Sequence, residues 1–332
     1  MREDVTRPGA DYLRNVVLRQ NSNNVPTAFE RFVAGAEANV AVGLTRLGHT
    51  VAFIGRVGTD GFGLAIERRL RGEGVDIRGL MSDPGAPTGL VFRERRSLGP
   101  AQVIYARRDS AGSRLTAGDV ELAAAKGLFE GARWLHVTGI TPALSADART
   151  ATARAVKLAK LAGMTVSLDL NLRRRLWSDQ AAAPVLRQFA ARSDVIVGSP
   201  DELAAVTGQT ATDDPAELAR AAIELGPSIA IVKLGPGGAI ALERERIDRP
   251  IARPAVPLRA VVDPIGAGDA FCAGFIAACL EGVDLGTALE MANACGAAAA
   301  SALGDQTGLP DRTELAAILR AVTDSGATDT IR

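Results

Sequence analysis

The sequence predicts an α/β protein in which a doubly wound, mostly parallel sheet carries helices on both faces and a small β-sheet lid. The first observation behind this fold class is alternation, because short apolar segments rich in β-formers are separated by longer segments with apolar residues at helical spacing. The second is a region, residues 75–108, in which two strand-like segments flank Leu98-Gly99-Pro100. That pattern predicts a hairpin of half-exposed strands attached to the main sheet.

The strands expected in the α/β body are short and rich in Val, Ile and Leu. In chain order they are TVAFIGRVG (50–58), RWLHVTGI (133–140), MTVSLDLN (164–171), DVIVGS (194–199) and SIAIVKLG (228–235). Stretches with helical periodicity, such as residues 147–163, separate them. We expect one domain over residues 1–332, with a lid insert at about 75–110 and an N-terminal contribution to the lid at about 12–34.

Composition limits the functional classes. The chain has 332 residues and is 47% apolar, which suffices for the core of one large domain. Lys plus Arg and Asp plus Glu both total 38, so no overall field attracts nucleic acid or an anionic membrane. The start of the chain lacks an apolar signal core, and Cys272, Cys279 and Cys295 lack disulfide or zinc-like spacing. We expect a cytoplasmic protein with a small-molecule substrate and neither nucleic acid nor membrane as a partner.

The segment VVDPIGAGDAFCAGFIAACL (261–280) carries the strongest functional signal. A glycine turn that opens a helix presents free backbone N–H groups and the positive end of the helix dipole, which together hold a phosphoryl group. Asp269 follows in the first helical turn, where a carboxylate can accept a proton from an attacking hydroxyl. The segment therefore predicts phosphoryl transfer.

A simpler interpretation of this segment stays open on spacing alone. A carboxylate in the first turn of a helix is favoured by the helix dipole, so Asp269 has a structural explanation. In that case the glycines serve only to turn the chain. The common nucleotide-binding loops do not compete, because no Lys-Ser/Thr pair follows Gly266-Ala267-Gly268 and no GxGxxG follows a strand here.

Three segments, in the right order, resemble the ribokinase-like sugar kinases, also called the PfkB carbohydrate kinase family. They are GAEANVAVGLTRLG (35–48), IGRVGTDGFG (54–63) and DPIGAGDAFCAGF (263–275). The similarity extends from about Phe29 to about Pro310 and implies a ribokinase-like fold with ATP and Mg²⁺ as cofactors. Within the family, four segments are similar to kinases of 2-keto-3-deoxygluconate: APTGLVF (86–92), YARRDSAGSRL (105–115), HVTGITPALSADAR (136–149) and SLDLNLRRRLWS (167–178).

The resemblance implies a role for each matching residue near the reacting phosphate. Asp269 corresponds to the general base, and Gly266, Ala267 and Gly268 correspond to the anion hole. The implied ATP-binding residues are Ser199, Lys233, Gly235, Gly238 and Asn293, and the implied magnesium residue is Glu202. Taken alone, LGPGG (234–238) is an ordinary β-turn and Glu202 is a carboxylate at a helix N-terminus. Ser199 also replaces the Asn of the family's Asn-x-x-Glu element.

The resemblance places the sugar between the first signature and the lid. Gly35 and Asn39 match the sugar-binding start of that signature, although Asn39 also suits a helix entry. A sugar acid needs a cation for its carboxylate, and Arg forks bind carboxylates bidentately. Tyr105, Arg107 and Arg173 match the keto-deoxygluconate kinase pattern, whereas for any single Arg a solvated surface charge is the simpler interpretation.

These observations predict a kinase that transfers phosphate from ATP to the terminal hydroxyl of 2-keto-3-deoxygluconate and forms a homodimer through its lid. A fructokinase or other neutral-sugar kinase is the alternative enzyme. A non-catalytic sugar-sensing or structural homologue is the alternative of another class. It gains support from the front of the chain, where residues 1–24 show only NVVLRQ in place of the family's usual first strand.

Overall fold

The computed structural model describes residues 30–93, 103–209 and 214–329. Three features of the sequence analysis lie outside these ranges: the segment NVVLRQ (15–20), the part of the expected lid contribution that precedes residue 30, and the hairpin turn at Leu98-Gly99-Pro100. The description below concerns the remaining chain.

The helices begin at residues suited to capping. Asp60, Thr116, Ser145 and Ser178 each accept a hydrogen bond from a backbone N–H of the first turn that follows. The helices are α1 (Ala36–Arg46), α2 (Gly61–Gly72), α3 (Ala117–Ala125), α4 (Thr141–Leu144), α5 (Ala146–Leu161), α6 (Asp179–Ala190), α7 (Pro200–Thr207), α8 (Pro215–Glu224), α9 (Ala267–Glu281), α10 (Leu285–Ala300) and α11 (Arg312–Asp329).

The strands form one large sheet and two small ones. They are β1 (Ala52–Gly58), β2 (Asp76–Asp83), β3 (Leu90–Arg93), β4 (Val103–Ala106), β5 (Trp134–Thr138), β6 (Thr165–Asp169), β7 (Val195–Gly198), β8 (Ile229–Lys233), β9 (Ala239–Glu243) and β10 (Ile251–Arg253). The large sheet has the order β10-β9-β8-β7-β6-β5. Strands β5 to β8 are parallel, and β9 and β10 continue the sheet in antiparallel fashion. The predicted α/β fold with a mostly parallel sheet is confirmed.

Helices cover both faces of the large sheet, as predicted. Val195, Val197 and Ile231 point to one face and pack in the core that contains α1, α9 and α10. Ile196 and Val232 point to the other face and pack with α6, α7 and α8. Near-continuous apolar strands have this property, because alternate side chains enter opposite cores.

The N-terminal half departs from the simplest expectation. Among the described residues, the strand predicted at 50–58 pairs in parallel with β2 in a separate two-stranded sheet and does not join β5. The lid hairpin is as predicted: β3 and β4 pair antiparallel, with Leu90 opposite Ala106 and Arg93 opposite Val103. Strand β2 falls inside the expected lid insert but belongs to the β1 sheet. Within the described ranges, no helix is long and apolar enough to cross a membrane.

Candidate active site

The glycine turn lies at the amino end of α9. Gly266 adopts a left-handed conformation with φ of 82° and precedes the first helical residue. A Cβ on Gly266 would lie 2.8 Å from the main-chain oxygen of Asp305, so glycine is required both by conformation and by close approach. The first N–H groups of a helix have no partner within it, so Ala267, Gly268 and Asp269 can present donors to an anion.

Asp269 lies in the first turn of α9 and is only 7% exposed. Its Oδ2 accepts a 2.7 Å hydrogen bond from Asn39 Nδ2 on α1. Its Oδ1 accepts a 3.4 Å bond from Asn171 Nδ2, in the loop after β6. A carboxylate needed only to start the helix would not require amides from two other elements. The arrangement gives Asp269 a defined orientation.

The Asn39 side chain is fully buried, and both its Nδ2 and its Oδ1 form hydrogen bonds with protein groups. Besides Asp269, its Nδ2 lies 3.1 Å from Asp305 Oδ2. Its Oδ1 accepts a 3.1 Å bond from Gln306 Nε2. The structure thus brings Asn39 to Asp269 rather than to an open surface, and a direct contact with a sugar hydroxyl stays a prediction.

Lys233 stands at the end of β8, beneath the glycine turn. Its Nζ donates a 2.8 Å hydrogen bond to Asp169 Oδ1 at the end of β6. Burial alone would lower the pKa of Lys233, but the Asp169 charge, with smaller contributions from Cys272 and Glu202, raises it above its ordinary value. A Cβ on Gly268 would lie 3.4 Å from Lys233 Nζ. A protonated lysine therefore adjoins the glycine turn.

Three further residues are implied to bind the nucleotide: Gly235, Gly238 and Asn293. Gly235 and Gly238 have positive φ values of 57° and 90° in the turn between β8 and β9. A Cβ on Gly238 would lie 2.1 Å from the oxygen of Arg253, so this glycine is required by packing. Asn293 Nδ2 donates to the oxygens of Arg253 (3.2 Å) and Pro254 (2.9 Å). These contacts are structural, and adenine or phosphate binding by the three residues stays a prediction.

Ser199 and Glu202 form the capping box that begins α7. Glu202 Oε2 accepts from the backbone N–H of Ser199 at 2.9 Å, and Oε1 accepts from that of Leu172 at 2.7 Å. Burial raises the pKa of Glu202. Among the described residues, no group of three or more His, Cys, Asp and Glu side chains is placed to hold a metal ion. The magnesium role of Glu202 stays a prediction.

A cavity of about 830 Å³ extends from the β1 and β5 edges to the lid. Gly35, Gly89 and Arg107 are among the residues that line it, whereas Asn39, Gly266 and Asp269 are not. Arg107 lies 4.4 Å from the centroid of the Tyr105 ring, a cation–π contact. Nε and Nη2 of Arg107 are buried and have no hydrogen-bond partner in the described chain. Arg173 follows Asn171 in the loop after β6 and is half-buried.

Two lid contacts involve residues that the sequence did not single out. Arg93, the last residue of β3, forms an ion pair with Asp263, which begins the glycine turn and is 1% exposed. Arg175 donates to the main-chain oxygen of Val103 and lies 5.9 Å from the Tyr105 ring. Both contacts connect the lid to the loops that surround Asp269.

Sequence reasoning also missed Asp169, Asn171, Asp305 and Gln306. A signal existed for Asp169 and Asn171, since both follow a buried parallel strand and the carboxyl ends of such strands meet at one edge of a sheet. The segment at residues 305 and 306 carried no comparable signal, because it lies in a loop after α10.

A glycine turn at a helix N-terminus, a buried carboxylate and a neighbouring lysine form the site of a phosphate-transferring α/β protein. The profile of the pfkB family carbohydrate kinases matches residues 10–312. The chain belongs to this family.

Individual relatives agree with the family and divide on the substrate. A 2-dehydro-3-deoxygluconokinase of Bacillus subtilis is 37% identical over 305 residues, covering 89% of each chain. A fructokinase of Klebsiella pneumoniae is also 37% identical, over 289 residues, covering 85% of this chain and 90% of its own. A solved structure of a ribokinase II candidate from E. coli, in complex with ATP and Mg²⁺, superposes with a TM-score of 0.82 at 26% identity, covering 94% and 96% of the two chains.

Proposed function

We propose that this carbohydrate kinase transfers the γ-phosphoryl group of ATP to the terminal hydroxyl of 2-keto-3-deoxygluconate. The observation that carries the choice of sugar is Arg107 at the lid, whose buried Nε and Nη2 have no hydrogen-bond partner among the described residues. Unpaired buried N–H groups are costly, and a carboxylate is the partner that a guanidinium fork satisfies best. A neutral sugar offers no such group.

The nucleotide and metal fit the residues present. Gly268 leaves room next to Lys233 Nζ, at a helix N-terminus that favours negative charge, so a phosphate suits this position. Glu202 retains lone pairs after its two backbone bonds and would hold a hydrated Mg²⁺. When bound, ATP supplies the phosphoryl group, and Mg²⁺ neutralises part of its charge.

In this proposal the protein supplies orientation, proton acceptance and charge stabilisation. Asp269 Oδ1 or Oδ2 accepts the proton of the attacking hydroxyl, while Asn39 and Asn171 keep the carboxylate aimed. The N–H groups that follow Gly266 stabilise charge on the transferred group. Lys233 adds a positive charge whose protonated state Asp169 secures. The lid excludes water that would otherwise hydrolyse ATP.

A fructokinase is the second candidate, favoured by the 37% identity to the Klebsiella pneumoniae enzyme. A non-catalytic sugar-sensing homologue is the candidate of another class. The oriented carboxylate of Asp269 argues against it, because a sensor needs no base.

The proposal extends to the oligomeric state and the cellular location of the protein. We infer a homodimer through the lid, since Ile104 on β4 is 62% exposed and, among the described residues, no further strand pairs with β3 or β4. Light scattering at micromolar concentration tests it. We also propose a cytoplasmic location, which the cysteine pattern supports, and we expect neither nucleic acid nor membrane as a partner.

The test is a sugar panel with purified protein, ATP and Mg²⁺. Keto-deoxygluconate, fructose and ribose are each added, and ADP formation is followed. We expect kcat/KM for keto-deoxygluconate to exceed that for either neutral sugar at least about tenfold, the scale set by a single charged contact. A preference for fructose would establish the alternative enzyme, and no sugar-dependent ADP with any sugar would favour the non-catalytic homologue.

A further inference from the structure

Four side chains form a continuous hydrogen-bonded chain from the surface of α2 to the base, here called the amide relay. Arg69 Nε donates to Gln306 Oε1 at 3.2 Å. Gln306 Nε2 donates to Asn39 Oδ1 at 3.1 Å, and Asn39 Nδ2 donates to Asp269 Oδ2 at 2.7 Å. Gln306 is 3% exposed and Asn39 is fully buried, so bulk water does not reach the bonds from Gln306 to Asn39 and from Asn39 to Asp269.

The chemistry of the two ends determines the direction of both amides. A guanidinium can only donate, so the Gln306 oxygen must face Arg69 and its nitrogen must face Asn39. An ionised carboxylate can only accept, so the Asn39 nitrogen must face Asp269. The two requirements agree. Rotating either amide by half a turn would set donor against donor at one contact and acceptor against acceptor at the other.

The loop that carries Gln306 is itself held against α1. Arg46 Nη1 donates to the main-chain oxygens of Gln306 at 3.0 Å and Leu309 at 2.7 Å. Arg69 Nη2 also pairs with Glu73 Oε1 at 2.7 Å. The backbone of Gln306 is therefore located by other contacts, and its side chain is left to the relay.

We propose that Arg69 and Gln306 are positioning residues that orient the Asn39 amide and, through it, the carboxylate of Asp269. Neither contacts the reacting atoms. The proposal rests on the proposed function in one respect only, namely that Asp269 is the base of a kinase reaction. It assigns a purpose to a donor-only residue on α2 that lies outside every signature used above.

The decisive variant is Gln306→Glu, compared with Gln306→Met at pH 8, which favours the ionised form of the new carboxyl beside Arg69. In the Glu variant, one carboxylate oxygen still accepts from Arg69. The other oxygen, also an acceptor, replaces the donating Nε2 and faces Asn39 Oδ1. Asn39 can satisfy it only by rotating, which removes the N–H from Asp269. We expect kcat to fall at least about thirtyfold in Gln306→Glu and about three- to tenfold in Gln306→Met, with KM for ATP within about threefold of wild type in both.

The order of the two variants separates positioning from structural support. A purely structural Gln306 predicts that Met is the worse replacement, because Glu retains the bond to Arg69. Equal rates, or a slower Met variant, would overturn the relay. Arg69→Met should lower kcat about tenfold, whereas Arg71→Met, which loses an exposed ion pair on the same helix, should leave it unchanged.

A crystallographic comparison keeps this test independent of the kinase assignment. If wild-type protein phosphorylates no sugar, the proposed function fails, and the relay is judged from structures of wild type and Gln306→Glu. The separation between Asp269 Oδ2 and the nearer terminal atom of the Asn39 side chain, 2.7 Å here, should exceed about 3.5 Å in the variant because two acceptors repel. An unchanged separation overturns the proposal.

Discussion

Lys233 donates a 2.8 Å hydrogen bond to Asp169, joining the ends of β8 and β6 beneath the glycine turn. Their side chains are 18% and 1% exposed. Removing the lysine leaves a buried carboxylate without its cation, so Lys233→Met should lower the free energy of unfolding by about 3–5 kcal/mol. Urea unfolding measures this change.

The matched control is Lys160→Met, which breaks the ion pair between Lys160 and Asp194. Their side chains are 44% and 32% exposed, so the loss should cost under about 1 kcal/mol. Similar losses of unfolding free energy in the two variants would contradict the prediction that the buried ion pair stabilises the protein more than the exposed one.

Replacing Asp269 by Asn tests the base directly. The amide keeps the size of the side chain but cannot accept the proton, so Asp269→Asn should lower kcat about a hundredfold or more. ATP binding and circular dichroism should remain those of wild type. Asp147→Asn provides the control, since Asp147 is an exposed carboxylate in the first turn of α5. Near-normal turnover by Asp269→Asn would return that residue to a helix-start role.

Arg107→Ala tests the sugar-acid assignment. Loss of a partly desolvated carboxylate partner typically costs about 2–5 kcal/mol, so KM for keto-deoxygluconate should rise at least about thirtyfold. KM for ATP and any turnover of neutral sugars should hardly change. The adjacent, exposed Arg108 supplies the control Arg108→Ala. Equal losses with acidic and neutral sugars would indicate that Arg107 supports the lid, and no loss with either would place fructokinase first.

Arg93→Ala tests the connection between the lid and the glycine turn. Asp263 also accepts from the backbone N–H of Ile265 at 3.2 Å, so its position affects the turn that leads to Gly266. We expect kcat to fall about tenfold and more ATP to be hydrolysed per sugar phosphate formed, because a displaced lid admits water. Arg93→Lys should restore part of the activity.

The control for this prediction is Arg78→Ala, which removes an ion pair with Asp76 in which the Arg side chain is 62% exposed. It should leave both kcat and the ratio of ADP to sugar phosphate unchanged. An Arg93→Ala enzyme with wild-type coupling would show that the lid closes without this ion pair.

The three cysteines should be unreactive in the folded protein at pH 8. Burial raises the pKa of Cys279 and Cys295 to about 12 and that of Cys272 well above its ordinary value. Because the thiolate is the reactive form, the folded protein should react with DTNB only slowly. In guanidinium, which unfolds the protein, all three thiols should react rapidly with DTNB. Rapid reaction of the native protein would show that α9 or α10 opens readily.

Local patterns were sufficient for the fold class and for the glycine turn. The apolar strands at residues 133–140, 164–171, 194–199 and 228–235 were predicted correctly, because a buried parallel strand leaves a short apolar run and an amphipathic helix leaves apolar residues at helical spacing, and a short window contains either signal. Gly266 was readable for a similar reason, since a left-handed residue before a helix calls for glycine whatever surrounds it.

The partners of Asp269 depended on tertiary structure. Asn39 lies 230 residues from Asp269, Arg93 lies 170 from Asp263, and Arg69 lies 237 from Gln306. No short window contains both members of such a pair, so residue type alone could not show that Asn39 bonds Asp269. The choice was made by packing α1 and the loop after α10 against α9, where burial removes water and each polar atom must find its partner within the protein.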